Sequence, residues 1–197
     1  VSIVLIIDIS IGVDVVTERQ AARARIGSLP HGAGLYPHLT ARENIAYYAK
    51  LYDMPGDTVD AAVQKVIDQL DINDFADRRT KGFSQGQQTK VALARSLVHE
   101  PQNVLLDEPS NGLDVMATRS LRERIRELKN AGKCVLFSSH VMQEVAALCD
   151  EIVIIAAGQV ALHDTIDGIR NATGCEDLED AFVKAIEMVD PTAEQTA

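Results

Sequence analysis

The sequence predicts an α/β fold built on a parallel sheet, with an inserted helical subdomain. Three observations predict it. Short aliphatic runs rich in Val, Ile and Leu (VSIVLIIDI, NVLL, KCVLFS, EIVIIA) have the length and composition of buried strands. They alternate with stretches whose apolar residues recur at helical spacing, and that alternation implies a parallel sheet covered on both faces. Residues 41–80 interrupt the pattern with helical spacing alone, as an insertion between strand-rich parts would.

In chain order, residues 1–9 read as a buried strand, and Gly12 and Asp14 as turn punctuation. Thr17 is the expected N-cap of a short polar helix over 17–25, and 26–29 is a brief strand that runs into the loop PHGAG. Thr40 with Glu43 forms a capping box for a helix that reaches about Tyr52. The segment 54–57 is a break. Val59, Val63, Val66, Ile67 and Leu70 mark a helix over 58–70, and 73–79 is a further short helical piece. Residues 86–98 form a helix with Val91, Ala94 and Leu97 on one face, followed by a strand over 103–106. An amphipathic helix over 116–131 turns Leu121, Ile125 and Leu128 inward and is capped by Gly132. A strand (133–138), a helix (141–148) and a strand (151–156) follow, and Ala157-Gly158-Gln159 turns into a hairpin strand over 160–163. A last amphipathic helix spans 176–188, before a frayed tail.

Composition bounds the function. A chain of 197 residues with 46% hydrophobic residues can bury a sizeable core. The net charge of −10 argues against a nucleic-acid partner, which requires a basic face. The three cysteines (Cys134, Cys149, Cys175) show no CxxC spacing and read as reduced thiols of a cytosolic protein. No apolar run approaches the roughly 18 residues of a membrane span, so a soluble chain is expected, with any membrane role exercised through a partner.

The chemistry-bearing residues concentrate in 83–114 and at His140. Asp107 and Glu108 follow the apolar strand 103–106, at the strand edge where open α/β sheets bind ligands. Adjacent acids there can divide their work. One carboxylate can hold Mg²⁺ through water, and the next can orient or deprotonate an attacking water. The plain alternative is that they begin a solvated loop. FSQGQ turns directly into a helix whose N-terminal N–H groups attract anions, although Ser84 can equally serve as an ordinary N-cap. His140 follows the strand VLFSS and can bond a terminal phosphate, or simply neighbour a helix start. Asp114 can cap the next helix.

Taken in order, FSQGQ, VLLDEP, NGLD and SSH resemble the second half of an ABC transporter ATP-binding subunit: its signature motif, its Walker B strand with the adjacent glutamate, its D-loop and its switch histidine. GLYPHLTARENIAYYAKLY resembles the start of that family's helical subdomain, and DLEDAFV the tail of its drug- and sodium-exporter, NatA-like branch. The resemblance covers about residues 12–186. It implies a P-loop NTPase-like core over 1–171 with the helical subdomain inserted at about 41–97, and a C-terminal helix and tail over 172–197.

By the same resemblance, Asp107 would hold Mg²⁺ through water, Glu108 would be the general base and His140 would contact the γ-phosphate. Ser84, Gly86 and Gln87 would contact ATP held by an opposed subunit, and Asp114 would couple the two sites. The implied partners are a second ABC ATPase subunit, in a homo- or heterodimer, and a transmembrane permease at the cytoplasmic face of the cell membrane. The implied cofactors are ATP and Mg²⁺.

Two departures accompany the resemblance. No Gly-Lys-Ser or Gly-Lys-Thr occurs, so the phosphate-gripping GxxxxGK[ST] loop is missing and is expected to fall before Val1. An N-terminally incomplete domain is therefore expected, inactive alone, with apolar surface left open. His31 stands at the family's Q-loop glutamine position, where it can bond a phosphate or water or be a plain loop histidine. Three functions compete: the ATP-hydrolysing subunit of an exporter; a non-catalytic subunit lending its signature loop to an intact ATPase; and a soluble ABC ATPase of translation or repair, which usually carries two such domains and basic or coiled-coil insertions.

Overall fold

The computed structural model describes residues 2–4, 12–32 and 34–189. Among the described residues, six strands form one sheet in the order β2-β3-β4-β1-β5-β6: β1 (Ser2–Val4), β2 (Ile26–Leu29), β3 (Asn103–Leu106), β4 (Cys134–Ser139), β5 (Ile152–Ala156) and β6 (Gln159–Asp164). β2, β3 and β4 are parallel, with Leu29 beside Leu106 and Leu106 beside Phe137, so their C-terminal ends share one edge. The sheet is not parallel throughout. β1 lies between β4 and β5, antiparallel to both, and β5 and β6 form the expected hairpin. Ala157 (φ +49°) and Gly158 (φ +75°) both adopt the left-handed conformation that a tight two-residue hairpin turn requires. Residues 1 and 5–9 of the expected first strand, and the expected tail over 191–197, lie outside the described residues.

The helices are α1 (Arg19–Ala24), α2 (Ala41–Leu51), α3 (Gly56–Gln69), α4 (Gln85–Leu97), α5 (Val115–Asn130), α6 (Met142–Leu148), α7 (Ile166–Thr173) and α8 (Leu178–Glu187). The Thr40–Glu43 capping box forms as its spacing predicts: Thr40 Oγ1 accepts the Glu43 N–H at 3.1 Å, and Glu43 Oε2 accepts the Thr40 N–H at 2.8 Å. Thr17 is not a cap. Asp14 Oδ1 accepts the Val16 and Thr17 N–H groups, which places Thr17 in a turn and delays α1 to Arg19. The break at 54–57 is shorter than expected, because α3 already starts at Gly56, and the piece over 73–79 is only a 3₁₀ turn, Asn73–Phe75. α7 was not expected. Its cap is Thr165, whose Oγ1 accepts the Gly168 N–H at 3.1 Å, and it ends at Gly174 (φ +71°).

The core is one cluster. Ile45, Ile67 and Leu93 of the helical block are continuous with Leu106, Phe137 and Ile154 of the sheet. α4 ties the two together by lying against β2, where an added Cβ on Gly27 would meet Ser96 O at 2.1 Å. Fully buried Asn44 anchors the loop before α2: its Nδ2 donates to Tyr36 O and Thr40 O, and its Oδ1 accepts the Tyr36 N–H at 2.9 Å. Coverage of the sheet is unequal. Along β4, Val135, Phe137 and Ser139 are buried, whereas Cys134, Leu136 and Ser138 are only half-buried. Leu136 and Leu105 flank a shallow cleft of about 290 Å³ on that less covered face.

Candidate functional site

The parallel register carries Asp107, Glu108 and His140 to one edge of the sheet. Ser138 of β4 binds the acid pair directly: its Oγ donates to Asp107 Oδ1 at 2.7 Å and accepts the Glu108 N–H at 2.8 Å. A hydroxyl has one proton, so donation to the carboxylate and acceptance from the amide fix its orientation. Asp107 Oδ2 accepts the His31 N–H at 3.2 Å, which joins the loop after β2 to the acid pair. Glu108 has φ +46°, a left-handed conformation uncommon for a residue with a side chain, and its C=O accepts the Asn111 N–H at 3.1 Å to close a turn. Glu108 Oε2 lies 2.8 Å from His140 Nδ1. With the carboxylate ionised, Nδ1 carries the proton and Nε2 remains free to face a ligand. The glutamate side chain is 22% exposed and the histidine 67%, so the pair sits at the rim of the site.

A cleft of about 350 Å³ opens beside these groups, lined by His31, Gly32, Gln88, Asp107 and Glu108 among others. Arg95 secures one wall. Buried to 5% exposure, it donates from Nη1 to Gly34 O at 2.9 Å and from Nη2 to the Tyr48 hydroxyl, and its guanidinium carbon lies 3.8 Å from the centre of the Tyr48 ring. That burial pulls its pKa below the usual guanidinium value.

Ser84, Gly86, Gln87 and Asp114 lie elsewhere, on a second cleft of about 340 Å³ between the first turns of α4 and α5. Each polar member is also a cap. Ser84 Oγ accepts the Gln87 N–H at 3.3 Å, Gln87 Oε1 accepts the Ser84 N–H at 3.1 Å, and Asp114 Oδ1 accepts the Ala117 N–H at 2.8 Å. The N-termini of both helices meet at Gly86, where an added Cβ would lie 3.3 Å from Ala117 Cβ. The expected residues therefore divide in two. Asp107, Glu108, His140 and His31 share one site, and Ser84, Gly86, Gln87 and Asp114 form another.

Among the described residues no group of three or more His, Cys, Asp or Glu is placed to hold a metal. Each Asp107 carboxylate oxygen accepts one hydrogen bond, from Ser138 Oγ and from the His31 N–H, and so keeps a lone pair with which it could hold a metal ion or its water. Sequence reasoning missed Ser138 and Arg95. The only trace of Ser138 was its place in the run SSH, and its role depends on the register between β3 and β4.

A family model described as ABC transporter matches residues 6–111. The chain belongs to the ABC transporter ATP-binding family. The ABC transporter ATP-binding protein NatA of Bacillus subtilis (strain 168) is 38% identical over 89% of this chain and 72% of its own length. The Nod factor export ATP-binding protein I of Rhizobium meliloti (strain 1021) is 32% identical over 86% of this chain, which spans 51% of that relative. A solved structure of the ATP-binding subunit of an ABC transporter aligns with a TM-score of 0.78 at 26% identity, over 88% of this chain and 73% of that one. Among the described residues of this ABC chain, no helix is long and apolar enough to cross a membrane.

Proposed function

We propose that the chain is the ATP-hydrolysing subunit of an ABC exporter, coupled to a separate membrane permease at the cytoplasmic face of the cell membrane. The observation that carries this reading is the 2.8 Å Glu108–His140 pair beside Asp107 at the edge of an open cleft. Glu108 orients the attacking water and takes its proton. His140 holds the Glu108 carboxylate through Nδ1–H and turns Nε2 toward the terminal phosphate, to which it donates in the doubly protonated form. Asp107, oriented by Ser138, is the residue that would hold Mg²⁺, and that ion, when bound, would offset charge on the phosphate oxygens. Ser84, Gly86 and Gln87 face a nucleotide held by a second ATPase subunit, where two helix N-termini favour an anion, and Asp114 links that face to the partner. Export in particular is supported by the DLEDAFV tail and by the name of the Nod factor relative.

These 197 residues contain no Gly-Lys-Ser or Gly-Lys-Thr, so the reading takes the phosphate grip from outside them. The same observation favours a second reading, in which the chain lends its α4–α5 face to an intact ATPase and does not hydrolyse ATP itself. One assay separates them: ATP turnover by the protein, with and without an ABC ATPase partner that carries its own phosphate loop. The first reading expects Glu108→Gln to lower turnover by about 10²- to 10⁴-fold, as loss of a general base does. Turnover unchanged by that substitution removes Glu108 as the base. Turnover seen only with the partner and insensitive to Glu108→Gln establishes the second reading.

A further inference from the structure

Behind the rim pair lies a carboxylate that the reading above does not use. Glu144, in the first turn of α6, is 3% exposed. Its Oε2 accepts Ser110 Oγ at 2.7 Å and Ser139 Oγ at 3.2 Å, and its Oε1 accepts Arg122 Nη2 of α5 at 3.2 Å. Ser110 stands two residues after Glu108, and Ser139 immediately precedes His140. One buried side chain thus grips both segments that must meet for Glu108 and His140 to pair. Ser139 Oγ in turn accepts the Val141 N–H at 3.1 Å, and Ser110 O accepts the Leu113 N–H at 3.1 Å, so the grip extends into the backbone of each segment.

We propose that Glu144 is a positioning residue for hydrolysis. It clamps the 108–113 loop to the end of β4 and so holds Glu108 and His140 at hydrogen-bond distance. This inference rests on the reading of that pair as the hydrolytic machinery. Three physical points carry it. A charged acceptor makes stronger hydrogen bonds than a neutral one, and Glu144 accepts three. Burial of a carboxylate is costly, so the position is specified only with Arg122 as counter-charge and both serines as donors. The left-handed Glu108 is also under conformational strain, which surrounding contacts must offset, and the Glu144–Ser110 bond holds the turn two residues after it.

Glutamine at 144 preserves volume but replaces one acceptor oxygen with an NH₂ group, so it cannot accept from Ser110, Ser139 and Arg122 together. The test compares amide hydrogen exchange in the protein, in Glu144→Gln and in the milder Ser110→Ala. In Glu144→Gln, exchange at Glu108, Asn111, Leu113 and Val141 should rise about tenfold or more, with α4 and α8 unchanged. Ser110→Ala should reproduce the rise in the loop and spare Val141. No rise in the loop in Ser110→Ala overturns the proposal whether or not Glu144→Gln folds, and so does a uniform rise across the sheet in Glu144→Gln, the signature of general destabilisation. Turnover supplies a second readout. Glu144→Gln should lower kcat about tenfold or more with KM for ATP within about twofold, because it disturbs the reacting geometry and not the grip on nucleotide. An unchanged kcat overturns the positioning role. Absence of turnover in the unaltered protein, even when it is assayed with an ABC ATPase partner that carries its own phosphate loop, overturns the functional reading instead, and the exchange pattern then decides the clamp independently.

Discussion

Gly27 lies where β2 passes under the end of α4, and its backbone carries the contact between the sheet and the helical block. A Cβ there would stand 2.1 Å from the Ser96 carbonyl oxygen and 2.8 Å from Pro101 Cγ. A backbone carbonyl at the end of a packed helix cannot swing aside as a flexible side chain does. Gly27→Ala should therefore cost about 2 kcal/mol or more, as forced overpacking does, and lower the melting temperature by roughly 4 °C or more for a chain of this size. Calorimetry decides it; an unchanged melting temperature would show that β2 and α4 can separate freely. At this scale the sequence revealed residues that fall into an ordered set of motifs. Asp107 and Glu108 at the end of an aliphatic strand stood out because they fall in order with FSQGQ, NGLD and SSH. Gly27, Ser138 and Glu144 did not, because a small residue, a serine and a helical glutamate acquire their roles only from neighbours distant in the chain.

α2 and α4 are tied at their C-terminal ends by a contact between their flanking residues. The His99 ring stacks on Tyr52 with centroids 3.5 Å apart and planes 14° from parallel, and His99 Nε2 donates to Ile26 O at 3.0 Å. Its Nδ1 is buried and has no hydrogen-bond partner. Burial lowers the His99 pKa from the ordinary 6.5; the hydrogen bond to the Ile26 carbonyl opposes this in smaller part, and nearby Lys133 adds a still smaller lowering. The folded state thus prefers the neutral ring. Above about pH 6.5 the unfolded chain is neutral there as well, and the contribution to stability is fully present. As the pH falls below that value the unfolded state takes up the proton first, and stability is lost until the folded ring is protonated too. Urea melts between about pH 7.5 and pH 5 should show a decline that is smaller in His99→Gln. Equal declines in both proteins would assign the effect to other groups. Element by element, the strands and the long helices were legible from periodicity, and α2 from its capping box. The start of α1 was misplaced because Thr17 has the composition of a cap while the Asp14 carboxylate already takes its N–H. α7 was missed because eight residues, IDGIRNAT, with a glycine among them, give a weak periodic signal.

The order of the strands, β2-β3-β4-β1-β5-β6, decides which parts of the surface are finished. Alternation within CVLFSS predicts two faces for β4, but only the packing of other elements determines which face is covered, and no local pattern encodes that. Val135 and Phe137 are at most 2% exposed on one face, while Leu136 on the other stays half-buried with Leu105 beside the 290 Å³ cleft. The apolar area left on that face should bind ANS in the folded protein, because contiguous exposed hydrocarbon is what the dye requires. Two substitutions on adjacent residues separate a surface effect from a core effect. Leu136→Gln should reduce ANS fluorescence and change stability by less than about 1 kcal/mol, since it exchanges a half-solvated leucine for a polar residue on a face that water reaches. Phe137→Ala should cost about 3–5 kcal/mol and raise ANS binding, because it opens a cavity beneath the same sheet. A cooperative melt of the isolated chain with no ANS binding would contradict the open face. If Leu136→Gln were as damaging as Phe137→Ala, β4 would instead be buried on both sides.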